Sequence, residues 1–205
     1  MATLRRAQPF WFGNTLNATC PLMVGGPEYP HFKETAGAAN RWLKGDLLYL
    51  DSNGTIELCT TSSSIMTSPV AGQALKAATG TTGEQVYFHA IRPDDLWVMN
   101  VMHATPASAT TAQTQLGVVY GLRQDTVSGN GTGIWSVDIE NTTVESTTVA
   151  NARVQVVGFP LKNPFDAGNL DRPAIGDIYG LVIVKFIPFS IGTDGAPIVR
   201  VMQLA

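Results

Sequence analysis

The sequence predicts a mainly β protein, an antiparallel β-sandwich or barrel of about eight strands with an extended N-terminal arm. Short apolar segments rich in β-branched and aromatic residues recur along the 205 residues. Turn signals made of Gly, Asn, Asp and Pro separate these segments. The length favours one domain. We expect three parts: the arm over 1–40, the body over 41–188 and a C-terminal strand or tail over 189–205.

The arm is predicted because residues 1–40 sustain neither a strand period nor a helix period and are interrupted by four prolines. Only Lys33 to Arg41 favours one or two helical turns. The aromatic residues of the arm are too many for a solvated tail, so we expect it to lie on its own body or on a neighbouring subunit. The predicted partner-binding residues are the adjacent basic pair and the aromatic residues: Arg5, Arg6, Phe10, Trp11, Phe12, Tyr29 and Phe32.

The body is expected to begin with a β-hairpin. Two apolar-rich segments, Leu47 to Leu50 and Thr55 to Cys59, meet across Asn53-Gly54. An Asn-Gly pair adopts the positive φ angles of a type I′ turn, which match the twist of paired strands. This is the strongest local structural signal in the chain.

Further strands follow from alternation or from β-branched richness. Asp95 to Met102 is predicted to be a strand with Trp97, Met99 and Val101 on one side, and with both of its faces covered by other parts of the protein. Loops are predicted over 106–115, 129–133 and 160–173, where Pro, Gly, Ser, Thr or Asn accumulate. The remaining predicted strands are Gln85 to Ile91, Leu116 to Leu122, Ile134 to Ile139, Ala152 to Phe159, Ile178 to Ile187 and Ile198 to Leu204.

The composition limits the partners. Charged residues make up 14% of the chain, against about 25% in average soluble proteins. A surface poor in Lys and Glu fits either a protein buried against neighbours or an extracellular β-protein. With 13 Lys and Arg residues and a net charge of −3, the chain lacks the basic face of a nucleic-acid binder. We expect no nucleic-acid partner.

No membrane association is expected either. The longest apolar stretch, Ile178 to Val184, is too short to cross a bilayer. The N-terminal residues lack the apolar core of a secretory signal, which favours synthesis in the cytosol.

Catalytic and metal-binding patterns do not stand out, so we predict no enzyme, no cofactor and no metal. The three histidines share no zinc-ligand spacing, although a site built from Cys59, His89 and His103 across strands stays open. Cys20 and Cys59 are interpreted as two buried thiols or as one disulfide. Nucleophile-elbow and phosphate-loop motifs are also missing, and the aspartates near Pro, Gly or Asn are interpreted as turn caps.

Several sequence segments resemble those of one protein family. In the first half they are residues 44–50, 53–57, 70–77 and 83–88, and in the second half residues 117–122, 135–138, 152–157 and 180–186. Together they resemble the small capsid decoration, or cement, proteins of tailed phages. The resemblance implies a non-enzymatic virion protein, made in the host cytoplasm, that binds the outside of the assembled head and stabilises it. The implied partners are the major capsid protein and further copies of the chain in a homo-oligomer.

Two alternatives remain at this stage. A tail, neck or head-fibre component would share the same β-rich phrases. A secreted carbohydrate-binding β-module or a β-sheet hydrolase belongs to a different class, and its sugar-stacking platform would use the tryptophans. We interpret these as core and interface anchors: Trp11, Trp42, Trp97 and Trp135.

Overall fold

A computed structural model of the protein describes residues 8–9, 34–35, 42–51, 55–59, 69–78, 85–91, 95–124, 135–140, 153–160, 175–187, 189–191 and 197–199. The mainly β fold is confirmed. The described strands are β1 (Gln8–Pro9), β2 (Glu34–Thr35), β3 (Leu47–Leu50), β4 (Ile56–Leu58), β5 (Val70–Ala74), β6 (Gln85–Val86), β7 (Phe88–Ala90), β8 (Leu96–Met102), β9 (Val119–Gln124), β10 (Trp135–Asp138), β11 (Val154–Gly158), β12 (Leu181–Phe186), β13 (Phe189–Ile191) and β14 (Pro197–Val199). Two single-turn 3-10 helices, Pro106–Ser108 and Gln113–Gln115, lie between β8 and β9.

Five strands close into a barrel. They pair in the order β8, β10, β9, β11 and β12, and β12 pairs again with β8. Four of these pairs are antiparallel, while β8 and β10 are parallel. A closed ring with an odd number of strands cannot alternate in direction all the way round. The antiparallel prediction is therefore wrong for this one pair.

The barrel interior is filled by side chains that alternate along each strand. On β8, Trp97, Met99 and Val101 are buried in the main core cluster. Trp135 and Val137 of β10 join the same cluster. The side predicted for β8 from its alternation is thereby confirmed.

A second sheet of four strands, in the order β4, β3, β5 and β7, packs beside the barrel. Successive residues of β3 serve opposite faces: Leu47 belongs to the barrel cluster and Leu48 to a second cluster that also holds Trp42. Both faces of this sheet are thus covered. His89 of this sheet meets Trp97 of the barrel edge-on, with ring centroids 5.6 Å apart.

The predicted hairpin is confirmed as the pair β3 and β4. Leu48 lies opposite Leu58, and Tyr49 lies opposite Glu57, whose carboxylate accepts a 2.6 Å hydrogen bond from the tyrosine hydroxyl. The Asn53-Gly54 tip lies outside the described residues. β5, by contrast, is a strand that the sequence reasoning did not assign, because its Ala and Gly residues carry little β propensity.

Two predicted strands begin later than expected. β9 starts at Val119 because Leu116 and Gly117 form a turn in which Gly117 has φ +82°. β12 starts at Leu181 because the chain turns at Tyr179, a non-glycine residue with φ +56°. The backbone N–H of Tyr179 donates to Ala109, and its carbonyl accepts from the buried Asn100 amide at 2.6 Å. These bonds hold the left-handed conformation in place.

Short described pieces of the two termini also pair. Gln8–Pro9 runs along Trp97 and Val98 of β8. Glu34–Thr35 pairs with β6, so these two residues form a strand instead of the predicted helical turn; a β-branched Thr favours that conformation. Near the C-terminus, β13 and β14 pair antiparallel with each other. No helix within the described ranges has the length and apolar character needed to span a membrane.

Candidate partner-binding surface

The seven residues predicted to bind partners lie outside the described residues, so the structure neither gathers nor separates them. They are Arg5, Arg6, Phe10, Trp11, Phe12, Tyr29 and Phe32. The described surface offers a different candidate, which is built around the turn that leads into β3.

This turn spans Leu43 to Asp46. The N–H of Asp46 donates to the carbonyl of Leu43 at 3.2 Å, and Gly45 has φ +93°. A positive φ at the third position is the requirement of a type II turn, which explains the glycine. The Asp46 side chain then reaches back, because its Oδ2 accepts the Leu43 N–H at 2.8 Å. Local hydrogen bonds therefore fix the turn from both ends.

The end of β5 locks onto the same turn. Gly45 N–H donates to the carbonyl of Ala74, and Ala74 N–H donates to the carbonyl of Asp46, each at 2.8 Å. The Gln73 side-chain amide donates to the Gly45 carbonyl at 3.1 Å. The sequence segments around Gly45-Asp46 and Gly72-Gln73-Ala74 thus form one structural unit, which we call the turn unit.

Gly72 of this unit has a steric role. A Cβ at this position would overlap the carbonyl oxygen of His89 and lie 2.6 Å from Cδ2 of Phe88. His89 and Phe88 belong to β7, which pairs with β5 at this point. Only glycine lets the two strands approach this closely.

Four side chains of this unit point outward, and we call them the turn surface: Leu43, Lys44, Leu75 and Lys76. Leu43 is 54% exposed and Leu75 is 38% exposed, and both lysines are exposed. The hydrogen bonds from Gly45 to Ala74 and from Ala78 to Trp42 bracket these residues, so the two segments run side by side. The signal that the sequence reasoning missed is a Leu-Lys pair at each of the two segments.

The charge of the turn surface is positive. The Lys76 ammonium lies 4.7 Å from the centre of the Tyr87 ring, a cation–π contact. No carboxylate in the described part of the chain forms an ion pair with Lys44 or Lys76. Asp46, which is adjacent in sequence, is fully buried. Two exposed lysines and two exposed leucines therefore lie on adjacent backbone segments.

Behind the turn, a buried thiol lies where the sheet meets the barrel. Cys59 is fully buried and free. Burial raises the pKa of the Cys59 thiol well above its usual range; the positive charge of Arg153 opposes this rise and the negative charge of Asp46 adds to it. Because the thiolate is the nucleophilic form and the thiol is buried, we expect this cysteine to be unreactive in the folded protein.

A separate ionic network lies on the barrel at β9 and β10. Arg123 contacts Asp138 at 3.2 Å and Glu140 at 2.6 Å. The Glu140 carboxylate also accepts the Ala104 N–H at 3.1 Å. That backbone hydrogen bond, together with Arg123, lowers the pKa of Glu140. The guanidinium offsets the two carboxylates, so the network ties the segment after β8 to the barrel wall.

The other chemistry-bearing residues are dispersed. His89 packs on Trp97, whereas His103 accepts the Thr105 N–H through Nδ1 at 2.9 Å. Within the described ranges, no group of three His, Cys, Asp or Glu side chains is placed to hold a metal ion. The zinc site left open from Cys59, His89 and His103 is therefore not assembled.

The tryptophans that the structure describes are buried. Trp42, Trp97 and Trp135 are each at most 2% exposed. A ring in that position cannot stack on a sugar at the protein surface. Trp11, the fourth, lies outside the described residues.

The comparisons with known proteins identify no relative. No protein-family model matches the chain, and neither a curated protein nor a solved structure is significantly similar to it.

Proposed function

We propose that this protein is a capsid decoration protein, which binds the outside of an assembled phage head and stabilises it without catalysis. The observation that carries the proposal is the turn unit. The phrases that resemble decoration proteins, around Gly45-Asp46 and Gly72 to Lys76, pack against each other and present an exposed turn surface. A rigid, preorganised surface limits the ordering cost of binding.

The low charge content supports the same proposal. A protein that covers a shell in many copies places much of its surface against neighbours, where Lys and Glu are depleted. Each contact can be modest, since repeated engagement raises the effective concentration of the next contact. The proposed partners are the major capsid protein and further copies of this chain.

The buried tryptophans speak against the carbohydrate-binding alternative, because the three described rings offer no face to a glycan. A tail, neck or head-fibre role would use the same kind of β body. The location of the chain in the particle, on the head or on the tail, neck or fibres, distinguishes this role from head decoration.

The test is made on purified particles of the phage that encodes the chain. Heads and tails are separated, and mass spectrometry measures the chain in each fraction. We expect many copies of the chain in the head fraction. We also expect that heads without the protein break at a lower temperature, and that adding the purified protein restores their stability. Recovery of the chain only with tails would refute head decoration and support the alternative.

A further inference from the structure

We propose that the turn surface is the docking site of this protein for an acidic partner surface, in which an apolar recess bordered by carboxylates receives Leu43 and Leu75. The partner is the shell protein, so this inference rests on the proposed function. It goes beyond that function by naming the turn surface as the face that docks, and an apolar recess bordered by carboxylates as the site that the shell must present.

Leu43 and Leu75 are both exposed to solvent. They lie on two segments that backbone hydrogen bonds hold side by side, whereas the Leu residues of β3 and β4 are buried or half-buried. Removing such side chains from water stabilises a complex, because apolar burial is favourable in proportion to area. Nothing in the backbone requires leucine there, since the turn is held by Gly45, Asp46 and Gln73.

Two exposed lysines give the turn surface a positive charge. The chain carries a net charge of −3 and contains 13 basic residues, yet Lys44 and Lys76 both project from this one patch. Their ammonium groups meet no carboxylate among the described residues, and the adjacent Asp46 is turned inward. Charge complementarity therefore selects a partner with carboxylates around the recess.

Backbone hydrogen bonds make the turn surface rigid. The hydrogen bonds of the turn run to β5, and β5 is paired with β3 and β7. Leu75 is held in the same way, because its N–H donates to the Tyr87 carbonyl at 2.9 Å. A backbone fixed by strands loses little freedom on docking, so the ordering cost falls on the side chains alone.

A second exposed apolar site differs from the turn surface in its charge. Leu116 is 45% exposed and Val157 is 39% exposed, and they lie near each other because Gly117 N–H donates to the Val156 carbonyl. The residues close to them in sequence, Gln113, Thr114 and Gln155, are uncharged. Lys185 of β12 lies opposite Gln155, so this site has one lysine where the turn surface has two, and it provides a matched control.

The experiment measures binding of the fluorescently labelled full-length protein to heads that lack it, prepared from the phage that encodes it. Two double variants are compared with wild type: Leu43→Ser with Leu75→Ser, and Lys44→Gln with Lys76→Gln. Each is expected to raise the Kd by about tenfold or more, since two central anchors are lost in each case. Raising the salt concentration weakens wild-type binding and affects the lysine variant less, because screening acts on the charges.

The controls are Leu116→Ser and Lys185→Gln, which remove one leucine and one lysine elsewhere and are expected to bind as wild type. Thermal melting of every variant excludes a folding defect, and an unfolded variant is replaced by Leu43→Ala with Leu75→Ala. Acetylation of lysines on bound heads gives an independent readout: Lys44 and Lys76 are expected to be protected.

Three outcomes would overturn the inference. If wild type binds heads and both folded double variants bind equally well, the docking face is wrong while the proposed function stands. If the leucine variant dissolves a dimer in solution but binds heads normally, the patch takes a second copy instead. If wild type fails to bind heads under any salt condition, the proposed function is refuted and this partner with it.

Discussion

Replacing Gly72 by Ala tests the turn unit in the folded body. The added methyl group would overlap the His89 carbonyl oxygen and lie 2.9 Å from the His89 carbonyl carbon. Both atoms belong to the backbone of β7, so relief requires the strands to separate at the pairs Gly72 with Ala90 and Gln73 with His89. A flexible side chain could move aside at little cost, but a paired backbone cannot.

The magnitude follows from two opposing contributions. Overpacking in a core costs about 1–3 kcal/mol, and a backbone clash lies at the upper end. Replacing glycine lowers the entropy of the unfolded chain, which returns about 0.4–1 kcal/mol. A net loss of about 2 kcal/mol in the free energy of unfolding is expected. For a chain of this size that corresponds to a Tm lower by roughly 4–8 °C.

Circular dichroism during heating, supported by chemical denaturation, measures the effect. Gly158→Ala is the matched control, because a Cβ there would lie 3.6 Å from Cδ1 of Ile183, an ordinary contact. The Tm of that variant is expected to lie within a few degrees of the wild-type Tm, because replacing an unstrained glycine by alanine changes stability only slightly. A Gly72→Ala protein that melts like Gly158→Ala would refute the close approach of β5 and β7.

Three further predictions concern Asp46 in the turn, Glu140 in the ionic network of the barrel, and the buried thiol of Cys59. Asp46→Ala should cost about 1.5–3 kcal/mol of unfolding free energy, because a charged hydrogen-bond acceptor of the turn is lost, whereas Asp46→Asn keeps an acceptor and should cost less in the same denaturation assay. Glu140→Gln should lower the Tm near about pH 7 but not near about pH 2: the pKa of Glu140 is lowered in the folded state, so its contribution is present above the ordinary pKa and is lost as pH falls through the folded value. Equal melting differences at both pH values would contradict this. In a Cys20→Ser background, Cys59 should not react with a thiol reagent at about pH 8 until denaturant is added, because burial raises the pKa of its thiol; rapid labelling of the folded protein would contradict the buried position.

The elements that the sequence predicted well are those with a local cause. The hairpin of β3 and β4 follows from two apolar segments flanking Asn53-Gly54, and β8 follows from a short apolar segment that places Trp97, Met99 and Val101 on one side. Both depend on neighbours in the chain, which the sequence displays directly. The starts of β9 and β12 were misplaced because turns at Gly117 and Tyr179 are stabilised by distant residues, among them Asn100.

The candidate surface could be predicted only in part. The segments that form it were recognised separately, but nothing local shows that the Gly45 N–H donates a hydrogen bond to the Ala74 carbonyl, 29 positions along the chain. β5 itself is rich in Ala and Gly, and it becomes a strand because β3 and β7 flank it. The exposure of Leu43 and Leu75 follows from this tertiary pairing, so composition and periodicity could not reveal it.

The most direct test of decoration is a cryo-electron microscopy map of heads carrying the protein, compared with heads that lack it. The account predicts extra density on the outer face of the shell, repeated with the lattice, into which the barrel and the four-stranded sheet fit with the turn surface toward the shell. Density confined to the neck, tail or fibres, or no difference between the two maps, would contradict it.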